Sequence, residues 1–181
     1  SSVVAGASDR ARPLRALFVM NPRPHYGLDV LFDGLCACLG DENVVDFPWK
    51  PTLHGGETPE HRHYPCRFNR RGVPSGVEAI CAALRVGAFD CILFGDLEGD
   101  LPPGDVAAIL NARGDCPVFI VDAVDQMGNY RERVQSRIGV PEIGGYFKRE
   151  MHRAINYGPN TWPMPFAFAG ERGLLEPGAA R

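Results

Sequence analysis

Short apolar runs and helix-type patterns alternate along this chain. A continuous apolar run at residues 14–20 predicts a buried strand, and residues 27–39 carry apolar side chains at helical spacing. The alternation continues with strands predicted at 44–47, 91–94, 118–121, 145–147 and 164–168, and with helices at 75–86, 106–111 and 130–138. Strands that alternate with helices are typical of parallel sheets with helical crossovers. The pattern predicts an α/β fold: a Rossmann-like, doubly wound parallel sheet in a three-layer sandwich, forming a single domain.

The predicted domain occupies residues 13–169. We expect residues 1–12, which lack the apolar segment of a secretory signal, to be a flexible tail. Residues 170–181 are rich in Gly, Pro and Ala and resemble a tail or linker. Residues 48–74 interrupt the pattern as a long irregular loop, whereas connections in compact domains usually run to about 2–6 residues. The length of this loop indicates a functional or a mobile segment.

Composition narrows the classes of function. The 181 residues, 45% of them hydrophobic, can bury the core of one ordinary domain. A formal charge of −3 argues against a nucleic-acid partner, because it provides no general positive field for a phosphate backbone. No apolar run approaches the roughly 20 residues that span a bilayer. The sequence therefore predicts a cytoplasmic protein without a membrane span.

Two common catalytic signatures are missing from the sequence. It contains neither a glycine-rich phosphate-binding fingerprint nor the G-x-S-x-G turn that presents a hydrolase serine. Tight nucleotide binding by this chain alone is not predicted, and no cofactor is certain.

The first candidate site is the segment from Asn21 to Gly27, between the first predicted strand and helix. Its prolines stiffen the loop, Gly27 permits close approach, and the start of the helix offers free N–H groups. We predict that Asn21, Arg23 and Gly27 bind substrate there. His25 is placed to act as a general base, since an ordinary imidazole titrates near pH 6.5. The alternative is an exposed loop histidine without a catalytic role.

The second candidate site follows the fourth predicted strand, where Asp122 and Asp125 lie three residues apart. Such carboxylates could orient a substrate hydroxyl, bind a cation or pair with Arg149. Equally, an Asp at the end of a strand often only caps the next turn. Asp96, Glu98 and Asp100, after the third strand, raise the same question more weakly.

The third candidate is a metal site in the long loop, formed by His54, His61, His63 and Cys66. Imidazole and thiolate groups are common ligands of transition metals. The spacing matches no standard zinc finger or ribbon, so a solvated polar loop is the alternative.

Several short tracts together resemble one family. They are residues 45–48 (Val-Asp-Phe-Pro), Asp122 with Asp125, residues 146–150 (Tyr-Phe-Lys-Arg-Glu) and residues 163–167 (Pro-Met-Pro-Phe-Ala). In order and spacing they are similar to the amino-terminal half of bacterial glycosyltransferase-like proteins of the spore-maturation type, which have GT-B architecture. The resemblance covers residues 14–168. Its most distinctive tract is 146–150, where two aromatic residues run into three charged ones.

This resemblance implies an acceptor-side domain that works with a second domain or protein chain carrying a nucleotide-sugar donor. His25 or the pair Asp122 and Asp125 would then deprotonate or orient the hydroxyl of a sugar or other glycosylatable acceptor. Lys148 and Arg149 would face the interdomain cleft and its anionic donor, with Glu150 holding those cations in place. Two alternatives are a non-catalytic interaction or scaffold subunit and a metal-binding domain that uses the His-rich loop.

Overall fold

The structure is a computed structural model that describes residues 12–56 and 66–164. Within these residues six strands form one parallel sheet in the order β2-β1-β3-β4-β5-β6. The strands are β1 Ala16–Val19, β2 Val44–Phe47, β3 Cys91–Phe94, β4 Val118–Asp122, β5 Gly145–Lys148 and β6 Thr161–Pro163. The predicted α/β fold with a doubly wound parallel sheet is confirmed.

Four α-helices connect the described strands. They are α1 Tyr26–Leu39, α2 Val77–Arg85, α3 Pro103–Ala112 and α4 Arg131–Ile138, and short 3-10 helices lie at Asp41–Asn43 and Pro51–Leu53. The last strand differs from its prediction, because β6 starts at Thr161 and residues 165–168 lie outside the described part of the chain. Position 163 can be a proline because β6 is an edge strand of the described sheet. On its outer side no neighbouring strand requires a backbone N–H donor.

The two faces of the sheet are covered differently. Helices α2, α3 and α4 pack on one face, over a core that includes Leu17, Ile92 and Ile120. The other face carries α1, which packs on β1 through Leu28 and Phe32. Burying both faces explains why β1 is a continuous apolar run without alternation.

The long loop between β2 and α2 is partly regular. Its described part contains the 3-10 helix Pro51–Leu53, a bridge between His54 and Asn69, and a backbone hydrogen bond from Arg70 to Leu53 of 2.9 Å. Residues 57–65, like the predicted tails at 1–11 and 170–181, lie outside the described residues. In the part of the chain that is described, no helix has the length and apolarity needed to cross a membrane.

Three aromatic rings form a row across β4, β5 and β6, on the face that carries α1. The ring centroids of Phe119 and Phe147 are 6.1 Å apart, and those of Phe147 and Trp162 are 5.4 Å apart. Trp162 is 44% exposed, and its ring lies over Gly145, where an added Cβ would overlap the indole. The aromatic row therefore depends on the absence of a side chain at Gly145.

We expect Gly145→Ala to lower the free energy of unfolding by roughly 1–3 kcal/mol, as overpacking usually does. The new methyl group must displace the Trp162 indole from its contact with Phe147. Urea denaturation measures the cost. The matched control is Gly34→Ala on α1, where an added Cβ meets nothing within 4 Å and should stabilise the helix by about 0.5–1 kcal/mol. Equal effects of the two substitutions would contradict this packing argument.

Candidate functional site at the carboxyl edge of the sheet

The topology brings the predicted site residues to one edge of the sheet. Because all described strands are parallel, the segments after β1, β3, β4 and β5 all leave from the carboxyl edge. Strands β1 and β3 are neighbours, and the chain winds outward from them in both directions, which makes their junction a topological switch point. Ligands of open α/β sheets bind at such crevices.

His25 is the N-cap of α1. Its Nδ1 accepts a hydrogen bond from the Leu28 N–H at 3.4 Å, and the Asp29 carboxylate accepts one from the His25 N–H at 3.3 Å. Burial lowers the pKa of His25, and the nearby carboxylates of Asp29 and Glu98 oppose this shift in part. With Nδ1 accepting, the neutral ring carries its proton on Nε2. In this arrangement His25 offers a hydrogen-bond donor at Nε2, and acting as a general base would require the other tautomer.

The three other predicted residues of this loop have different surroundings. Asn21 is 7% exposed, and its Oδ1 has no hydrogen-bond partner among the described residues. The Arg23 guanidinium pairs with Asp100 at 2.7 Å. Gly27 permits a close approach of α1 to the protein itself, since an added Cβ would lie 2.9 Å from that of Ala123. These contacts fix the loop against the ends of β3 and β4.

A buried ion pair lies beneath this loop. Lys50 Nζ is 2.5 Å from Asp29 Oδ1, and the two side chains are 2% and 0% exposed. Lys50 Nζ also donates to the Arg23 carbonyl at 2.8 Å, and the Lys50 N–H donates to Asp46 Oδ2 at 3.0 Å. The pair joins α1 to the segment after β2, and the bond to the Arg23 carbonyl fixes the loop between β1 and α1.

His54, predicted as a metal ligand, uses both of its ring nitrogens in contacts with other residues. Its Nδ1 is 2.9 Å from the Arg70 carbonyl, its Nε2 is 3.1 Å from Asp46 Oδ1, and its ring stacks on Trp49 with centroids 3.6 Å apart. Neither ring nitrogen is left for a metal in this arrangement. Among the other three predicted ligands, Cys66 is buried, and His61 and His63 lie outside the described residues. Within residues 12–56 and 66–164, no group of three potential ligands is present.

Asp122, Tyr146 and Lys148 form a second buried polar cluster, and all three are 0% exposed. Lys148 Nζ lies 3.1 Å from Asp122 Oδ1, and the Tyr146 hydroxyl donates to Asp122 Oδ2. Burial raises the pKa of Asp122, and the hydrogen bond from Tyr146 and the Lys148 charge offset part of that rise. Contact of Asp122 or Lys148 with a substrate would require rearrangement, because neither side chain reaches the surface.

This cluster positions the loop between β4 and α4. Lys148 donates to the carbonyl of Gln126, and the Tyr130 N–H donates to the Tyr146 hydroxyl at 3.3 Å. Lys148 Nζ also lies 5.5 Å from the centre of the Tyr130 ring. Through these contacts, the buried side chains of Tyr146 and Lys148 hold the β4–α4 loop against the core.

Asp125 and Arg149 form an ion pair at the surface of the same edge. Arg149 Nη2 is 2.9 Å from Asp125 Oδ1, and the Asp125 side chain is 71% exposed. Arg149 also donates to the Ala123 carbonyl at 3.3 Å, which holds it over the end of β4. Of the possibilities considered for these aspartates, Asp125 pairs with Arg149. Asp122 pairs instead with Lys148 and caps the turn by accepting a hydrogen bond from the Val124 N–H at 3.3 Å. Glu150 follows at the half-buried end of the tract.

A cavity of about 330 Å³ opens between the loops that follow β3 and β4. It is lined by Leu97, Glu98, Val124, Gln126, Tyr130 and Arg133. Asp96 shapes the first of these loops by accepting hydrogen bonds from the N–H groups of Asp100 and Leu101, at 2.9 and 3.3 Å. The cavity combines two aliphatic side chains with a carboxylate, an amide, a phenol and a guanidinium.

Sequence reasoning missed most of this lining. Glu98 is only a secondary candidate in the sequence, and Val124 and Gln126 lie within the candidate segment 122–126 without a role of their own. Tyr130 and Arg133 are not candidates. A signal was present in the mostly polar segment 125–133, which follows the end of the fourth predicted strand. A larger cavity of about 510 Å³ lies beside β2, with Arg15, Asp41 and Arg71 in its lining. That cavity borders the edge strand, away from the switch point where ligands of this fold bind.

Fold and site together define a doubly wound α/β protein with a polar cavity at the carboxyl edge of its sheet. Comparison with protein-family models, with curated proteins and with solved structures finds no match to this chain. Fold alone does not determine function in this class, so a functional assignment depends on the chemistry of the site.

Proposed function

We propose that this chain is the acceptor-side Rossmann-like domain of a glycosyltransferase-like protein of GT-B type. The observation that supports the proposal is the cavity of about 330 Å³ at the carboxyl edge. A sugar ring has C–H groups that pack on aliphatic and aromatic side chains and hydroxyls that need donors and acceptors. Leu97 and Val124 supply the first kind of contact, and Glu98 and Gln126 supply the second.

The nucleotide-sugar donor is assigned to a second domain or a partner chain. The sequence offers no glycine-rich loop for a diphosphate, and Glu98 places a negative charge in the cavity itself. An activated donor held opposite this edge would meet an acceptor hydroxyl in the cavity.

Glu98 is the carboxylate that lines the cavity, so it is our candidate for the base that receives the acceptor proton. The acceptor oxygen attacks the anomeric carbon of the donor as its proton passes to Glu98, and the nucleoside diphosphate leaves with the bonding electrons. His25 Nε2–H lies on the adjoining loop as a donor. In this mechanism Asp122 and Lys148 act beneath the cavity by holding the β4–α4 loop.

Glu98→Gln should lower hexosyl transfer by roughly 100-fold or more if the carboxylate takes the proton. The assay uses the natively produced protein with any second domain or chain that accompanies it. Its substrates are a panel of UDP-, GDP- and dTDP-hexoses with sugar acceptors, and transfer is detected by the mass gain of the acceptor. Glu132→Gln, on the exposed face of α4 and outside the cavity, is the matched control and should retain wild-type transfer.

Two results of this assay count against the proposal. Wild-type turnover in both Glu98→Gln and Gln126→Ala would remove the acceptor role of the cavity. Absence of transfer from every donor by the completed protein would remove the glycosyltransferase assignment itself.

One observation favours an interaction subunit as the second candidate function. The aromatic row of Phe119, Phe147 and Trp162 lies on a half-buried part of the sheet, and Trp162 is 44% exposed. For such a subunit, Trp162→Ser should abolish co-purification with a partner while Glu98→Gln has no effect. The described residues contain no group of three ligands that would support the metal-binding alternative, and His54 uses both ring nitrogens elsewhere.

A further inference from the structure

Most charged side chains around the carboxyl edge are neutralised by a partner of opposite sign. Four ion pairs do this: Arg23 with Asp100, Arg137 with Asp96, Lys148 with Asp122 and Arg149 with Asp125. These pairs hold the loops in place, and each balances its own charge. A ligand at this edge gains little from charges that are already paired.

Glu98 and Arg133 differ from these pairs. Both line the cavity and both are exposed, yet neither forms a hydrogen bond or an ion pair with another described residue. They come from different elements, Glu98 from the loop after β3 and Arg133 from the first turn of α4. The cavity thus presents one unbalanced negative and one unbalanced positive group that do not pair with each other.

The groups between these charges are neutral. The Tyr130 hydroxyl is engaged with Gln126 Oε1, which leaves the Gln126 amide N–H groups available as donors. Leu97 and Val124 add an apolar surface. A ligand that matches this lining carries a cationic group, an acidic group and, between them, a hydroxylated ring with an apolar face.

From this arrangement we infer that the cavity takes a zwitterionic amino sugar, with its ammonium group at one oxygen of Glu98, the other oxygen receiving the acceptor hydroxyl, and a phosphate or carboxylate at Arg133. The inference rests on the proposed function and specifies the class of its acceptor. A volume of about 330 Å³ lies at the lower end of the range for small-molecule sites, which is about 300–1,000 Å³. It suits one substituted sugar ring better than an oligosaccharide.

Isothermal titration of this chain with four probes tests the inference. Glucosamine 6-phosphate carries both charges, glucosamine and glucose 6-phosphate carry one each, and glucose carries none. We expect glucosamine 6-phosphate to bind most tightly, with each missing charge weakening binding roughly tenfold or more. Glu98→Gln should weaken only the two probes that have an ammonium group, and Arg133→Gln only the two that have a phosphate.

Glu132→Gln and Arg85→Gln are matched controls, since both residues are exposed and lie outside the cavity lining. They should leave all four affinities unchanged. Equal affinity for glucose and glucosamine 6-phosphate would overturn the zwitterion and leave a neutral sugar acceptor in place. Failure of all four probes to bind would also overturn it, whereas the transfer assay judges the proposed function independently.

Discussion

Replacing Lys148 with methionine should lower the free energy of unfolding by roughly 3–5 kcal/mol. Lys148 and Asp122 are both 0% exposed, and Lys148 Nζ is 3.1 Å from Asp122 Oδ1. Without the ammonium group, the buried carboxylate keeps the Tyr146 hydroxyl but loses its counter-charge. Burial of an unpaired charge is far more costly than loss of an exposed ion pair, which contributes about 0–1 kcal/mol. Urea denaturation followed by circular dichroism measures the difference.

The double variant Asp122→Asn with Lys148→Met is the decisive comparison for this pair. It removes both charges and leaves an amide that can still accept from Tyr146, so most of the lost stability should return. Arg12→Met, at the pair with Asp90 in which the two side chains are 60% and 33% exposed, is the exposed counterpart and should cost far less. If Lys148→Met costs no more than Arg12→Met, the buried pair does not stabilise the fold.

The fold was predictable from the sequence because its signals are local. The apolar run at 14–20 and the helical spacing at 27–39 each report burial of a neighbouring segment, and both elements are present as β1 and α1. Parallel strands then bring the segments after β1 and β4 to one edge without further information. The general location of the site follows from topology alone.

The role of Lys148 could not be predicted in the same way. A charged triplet after two aromatic residues indicates the rim of a cleft when the strands are considered singly. The register pairs Lys148 with Asp122 across β4 and β5, and alternation along β5 directs Tyr146 and Lys148 to the same buried face. Register is a property of two strands that are distant in sequence, and the pattern of one strand does not contain it.

His25 illustrates how a difference of one residue changes an expected function. The helix was predicted to begin at residue 27, which leaves His25 free in a loop, whereas α1 begins at Tyr26 and makes His25 its N-cap. The imidazole nitrogen nearest the helix then accepts from the backbone. The boundary of a helix is the least reliable part of a pattern-based prediction, and here it decides which nitrogen carries the proton.

One signal for the buried pairs was available in the composition. The sequence contains two lysines, Lys50 and Lys148, and all its other basic side chains except histidine are arginines. Both lysines are buried and paired with an aspartate. An ammonium group donates in three directions from a single atom. Lys50 Nζ uses this to contact both Asp29 and the Arg23 carbonyl, and Lys148 Nζ to contact both Asp122 and the Gln126 carbonyl.

The same physical argument predicts a large effect at Lys50. Lys50→Met should cost roughly 3–5 kcal/mol of unfolding free energy, because Asp29 is 0% exposed and loses its partner at 2.5 Å. The Arg23 carbonyl also loses its donor. Unlike the loss at Lys148, this one releases the loop that carries Arg23 and His25, so amide hydrogen exchange should accelerate at residues 21–25 more than in β4. Arg85→Met, at an exposed position, is the control. If exchange accelerates equally in both segments, or if Lys50→Met has the same free energy of unfolding as Arg85→Met, then Lys50 does not position this loop.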